Sequence, residues 1–139
     1  MRVKVGFYCL VFLGIFVIAS CELQYPFSTQ PTMHRTLNIP ATMLDWGTIV
    51  HGQAVDTLFT FVNDTHSEGE LMGTVKITGA SFYIVTGGGT FRLDPGASRT
   101  VKVCFLPGGS GTFTGKLIIN HNADNWVSPF NVALVGRAE

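Results

Sequence analysis

Three cysteines in 139 residues leave little room for a disulfide framework, and charge is equally sparse, at 13% of the chain. Nine basic residues balance nine acidic ones, and no run of like charge occurs, so there is no electrostatic footprint for nucleic acid and no solvated charged tail. No segment has a convincing helical period, which argues against bundles and α/β architectures. Gly-x-Ser-x-Gly is absent, and Ser98 and Ser110 sit in turn compositions without an evident base. The triple glycine Gly87–Gly89 is followed by neither Lys-Ser/Thr nor a helix, so it reads as a flexible turn and not a phosphate loop. The four histidines, His34, His51, His66 and His121, show no short ligand spacing, and no cysteine joins them. No catalytic residue, metal site or cofactor is therefore expected, and the chain does not read as an enzyme.

The N-terminus carries the sharpest positive signal. Arg2 and Lys4 precede an apolar run from Val5 to Ile18, which ends at Ile18-Ala19-Ser20-Cys21. A basic start, an apolar stretch and a small-residue end have the form of a secretory signal, too short for a comfortable membrane span. The ending resembles the lipobox of bacterial lipoproteins, whose cysteine is acylated at the thiol before the signal is removed. That resemblance implies a signal peptide over 1–20 and Cys21 as the lipidated N-terminus of the mature chain. The alternatives are a plain secreted protein cut near Ser20, or an uncleaved anchor. With acylation, the protein sits at the bacterial cell envelope, on the outer membrane or periplasmic face, held to the bilayer by chains worth about 0.8 kcal/mol per buried methylene. Cys9 leaves with the signal and Cys21 is blocked, so Cys104 stands alone and forms no intramolecular disulfide.

From Cys21 to Pro40 the chain is polar and carries Pro26, Pro31 and Pro40, which reads as a tether. Residues 41–139 form one domain of short β-rich runs. Asp56–Asn63, Gly73–Thr78, Thr100–Phe105, Thr112–Asn120 and Phe130–Val135 alternate or are rich in β-branched and aromatic residues. His51-Gly52, Asn63-Asp64-Thr65, Asp94-Pro95-Gly96, Pro107-Gly108-Gly109 and His121-Asn122 punctuate them as turns. Seven to eight strands at this spacing predict an all-β immunoglobulin-like β-sandwich, with phenylalanine supplying much of the burial a disulfide would otherwise support.

An ordered set of motifs resembles the ASH (abnormal spindle and hydin-like) immunoglobulin-like domains, relatives of the major sperm protein fold. It comprises Leu44-Asp-Trp-Gly-Thr-Ile-Val-His-Gly-Gln53, Thr60-Phe-Val-Asn63, Leu93-Asp-Pro-Gly96, Val101-Lys-Val-Cys-Phe-Leu-Pro107, Gly111–Ile119 and Val132-Ala-Leu-Val-Gly136. The Asp64–Leu71 loop is longer and more acidic than the family's usual turn, and Cys104 stands where a polar residue is commoner. The resemblance implies a non-enzymatic binding module. Its partner would be another envelope protein, and the sequence leaves the oligomeric state open.

Two partner sites follow from the pattern. If Phe59, Phe61, Val101, Val103 and Phe105 point inward, then Leu58, Val62, Cys104 and Leu106 make an apolar outer face interrupted by Thr60 and Lys102. The other reading of this face is that the first strand or the tether folds over part of it. The second candidate is the loop end with His66, Glu68, Glu70, Asn122, Asp124, Asn125 and Trp126, where Trp126 is either an interface anchor or tucked against the core. A third route is edge-strand pairing, which a periplasmic chaperone or assembly factor would use to hold client strands. A glycan- or metal-binding role for the loop end is a further alternative.

Overall fold

The computed structural model describes residues 32–139, so the signal segment, Cys21 and the first part of the tether lie outside the described residues. Met33–Glu139 forms one compact unit. It holds nine strands: β1 (Leu37–Asn38), β2 (Met43–Ile49), β3 (Val55–Asn63), β4 (Leu71–Thr78), β5 (Phe82–Thr86), β6 (Gly89–Leu93), β7 (Ser98–Phe105), β8 (Gly111–His121) and β9 (Phe130–Ala138). They build two sheets, ordered β1-β3-β7-β5 and β2-β9-β8-β4-β6. The expected all-β immunoglobulin-like sandwich is what the chain adopts.

Alternation along each strand explains the layering. Phe59 and Phe61 of β3 and Val101, Val103 and Phe105 of β7 face the second sheet, whose Val75, Leu117, Ile119, Val132 and Leu134 meet them, all buried. An aromatic cluster joins the two sheets without a disulfide. The Phe82 and Phe105 rings stack at 4.9 Å, Trp46 tilts against both at 5.4 and 5.9 Å, and Phe113 meets Phe105 edge-on at 5.7 Å. Each buried phenylalanine contributes roughly 1.5–3 kcal/mol, which lets the core hold without covalent help. Gly136 of β9 lies under the Phe105 ring, where any Cβ would collide with it.

Two readings of the sequence need correction. The tether does not extend to Pro40: Leu37 is fully buried in the core, and Leu37–Asn38 pairs with Val62–Asn63. A two-residue strand after prolines is too short to display a period, so its membership of the fold was invisible in sequence. The triple glycine is not a free turn either. It carries the chain from β5 in one sheet to β6 in the other, and the Arg99 guanidinium pins it by donating to the carbonyls of Gly87 (3.0 Å) and Gly88 (2.9 Å).

Candidate partner-binding face and loop end

The antiparallel register of β3 and β7 places Asp56 beside Cys104, Leu58 beside Lys102, Thr60 beside Thr100 and Val62 beside Ser98 on the outer face. β5 extends that face, with Tyr83 opposite Cys104. Leu58 is 65% exposed, Tyr83 54%, Val85 51% and Leu106 39%, so the apolar character expected from alternation is real and accessible. Val62 and Cys104 are half-buried. The face is not continuous. A Lys102–Asp56 ion pair at 2.7 Å and a Thr60–Thr100 hydroxyl pair at 2.8 Å cross it, separating Val62 from Leu58. Tyr83 and Val85 lie in Phe82-Tyr-Ile-Val, a continuous apolar run whose pattern alone does not say which members face outward.

Charge and burial govern Cys104. Burial pushes its thiol above the ordinary value, and the neighbouring Asp56 carboxylate adds to the effect. The hydrogen bond from Lys102 in turn holds Asp56 below the ordinary carboxylate value and raises Lys102. A thiol kept protonated is a poor nucleophile.

The loop end has a different job. Its polar side chains take up the backbone of the segment leading into β1, one position after another. Glu68 Oε2 accepts from the His34 amide at 3.0 Å, Asp124 Oδ2 from Arg35 at 2.7 Å, Ser67 Oγ from Thr36 at 2.8 Å and Asn125 Oδ1 from Leu37 at 2.9 Å. Trp126 remains 44% exposed, while its indole donates to the Leu37 carbonyl at 2.9 Å and its ring meets Phe130 edge-on at 5.1 Å. Glu68, Asp124 and Trp126 are thus brought together, but on the chain's own N-terminal segment. His66 points to solvent, 93% exposed, against Asp64 at 3.0 Å, and does not join them. Among the described residues no three His, Cys, Asp or Glu side chains are placed to share a metal ion. Ser67 is the member of this clamp that the sequence does not single out, because the short strand it holds has no period of its own.

Sequence comparisons with protein-family profiles and with curated proteins found no match. Solved structures do match by shape. The ASH / PapD-like domain 7 of human CEP192 superposes with a TM-score of 0.62 at 13% identity, covering 88% of this chain and 97% of that domain. A protein of unknown function from Porphyromonas gingivalis W83 gives 0.60 at 16% identity over 76% of this chain and 47% of its own. The secreted serine protease VesC of Vibrio cholerae gives 0.54 at 18% identity, with 77% of this chain spanning only 23% of the protease. At such identities the likeness is one of fold alone, an immunoglobulin-like β-sandwich.

Proposed function

We propose that this is a lipid-anchored protein of the bacterial cell envelope whose immunoglobulin-like domain is a non-enzymatic protein-interaction module. Cys21 carries the acyl chains, and the segment between it and Met33 links the bilayer to the domain. The observation that carries the reading is the set of apolar side chains exposed on the outer face of the β1-β3-β7-β5 sheet: Leu58, Tyr83, Val85 and Leu106. Exposed apolar groups flanked by polar ones are what a partner surface uses, and Tyr is among the residue types enriched there. The raised thiol of Cys104 speaks against cysteine-based catalysis. The partner is another envelope protein.

In-cell crosslinking followed by affinity purification and mass spectrometry, comparing wild type with Cys21→Ala, tests this. A defined envelope partner recovered with the acylated wild type and lost with Cys21→Ala is expected. Acylated wild-type protein that recovers none would overturn the adaptor reading.

A further inference from the structure

β3 runs nine residues, but β1 covers only its end, pairing Leu37 with Asn63 and Asn38 with Val62. Past Pro40 the chain enters β2, which belongs to the other sheet. The direction of the uncovered groups follows from the observed bonds. The Asn63 amide donates to the Ala97 carbonyl at 2.9 Å, and its carbonyl accepts from Gly96 at 2.8 Å, so Asn63 faces the β7 side. Asp64 donates to the Thr36 carbonyl at 2.9 Å, on the β1 side. Backbone groups alternate along an antiparallel strand, so Asp56, Leu58 and Thr60 direct both N–H and C=O toward an edge that no described strand covers.

Edges of this kind are normally defended by proline, lysine, bulges or brevity. The other margins show such devices: β5 has a register shift between Ile84 and Thr86, β2 one between Asp45 and Thr48, and β6 is five residues long. Between Asp56 and Phe61 there is no Pro, no Lys and no register break.

We propose that this edge pairs with the same edge of a second copy of the chain, antiparallel about a two-fold axis at Leu58. The sequence of the edge is self-complementary in that register alone. Leu58 meets Leu58 of the second copy, and Asp56 lies opposite Thr60, a hydroxyl donor facing a carboxylate already paired with Lys102. No like charges oppose one another. Moving the axis to Thr57 would set Asp56 against Leu58, and moving it to Phe59 would set Asp56 against Val62, whose edge groups β1 already takes. The centred register forms roughly six backbone hydrogen bonds and joins two four-stranded sheets into one. This inference goes beyond the adaptor reading and stands without the lipid anchor.

Copper-catalysed disulfide formation in cells making the full chain tests it, read by non-reducing electrophoresis. In a Cys104→Ser background, Leu58→Cys places two Cα atoms about 5.5 Å apart across the axis, within disulfide reach. Thr60→Cys places them about 14 Å apart, beyond it. Cys9 and Cys21 remain in every variant, so Cys104→Ser alone sets the background. Leu58→Cys is expected to give a homodimer at least about fivefold above background, with Thr60→Cys at background. Equal crosslinking of the two, no crosslinking, or capture of a different protein by Leu58→Cys would overturn the proposal. In detergent, light scattering should show wild-type mass rising toward a dimer with concentration, and Leu58→Lys remaining monomeric with an unchanged melting temperature. A wild type that is monomeric throughout, or a Leu58→Lys chain that still dimerises, would also overturn it.

Discussion

Asn125 holds Leu37 as a neighbouring strand would. Its side-chain amide accepts from the Leu37 N–H at 2.9 Å and donates to the Leu37 carbonyl at 3.0 Å, closing a two-bond ring on the side of β1 that faces away from β3. Removing it strips both bonds while leaving the Leu37 side chain in the core. Asn125→Ala is expected to cost about 1–2 kcal/mol of unfolding free energy. Hydrogen exchange should quicken at the amides of Leu37 and Asp64, the latter because its acceptor is the Thr36 carbonyl in the same segment. Unchanged exchange at both would contradict the clamp.

Packing makes a second prediction. Because a Cβ on Gly136 would run into the Phe105 ring, Gly136→Ala forces the stacked Phe82–Phe105 pair to move. Overpacking of this kind costs about 1–3 kcal/mol, read as a lower midpoint in denaturant with an unchanged slope.

His121 should make stability depend on pH near neutrality. Its Nδ1 accepts from the Ala123 amide at 3.2 Å, so in the neutral ring Nε2 bears the proton, and Nε2 is buried. Burial lowers its pKa below 6.5, offset in part by the Val127 backbone. The unfolded chain therefore binds a proton at a higher pH than the folded one. Stability is full above the unfolded value and falls as pH drops through about 6.5 toward the folded value. His121→Gln should flatten the unfolding free energy between about pH 7 and pH 5. Asp56 and Asp64 do not confuse the window: both lie below 3.8, Asp64 chiefly through the His66 amide, and their contributions are lost only at lower pH.

The Cys104 thiol offers a readout of the outer face. With burial and Asp56 both keeping it protonated, alkylation near neutral pH should be slow. Asp56→Asn removes the carboxylate and frees Lys102, so the Cys104-containing peptide should be labelled about 2- to 10-fold faster by mass spectrometry. An unchanged rate would mean that burial alone controls the thiol.

Sequence alone determined the all-β class, the inward and outward faces of β3 and β7, and the lack of a disulfide between sheets. Those follow from a two-residue side-chain period and from counting cysteines, both strictly local properties. Tertiary structure decided what a local pattern cannot hold. Leu37 belongs to the core because Asn125 and Trp126, far along the chain, bond its backbone, and the acidic loop end is spent on that segment. The outer face is cut by Asp56–Lys102 and widened by Tyr83 and Val85 because strand pairing, not spacing, sets who stands beside whom. The bare edge of β3 exists only because the chain leaves that sheet after Asn38 and crosses to β9.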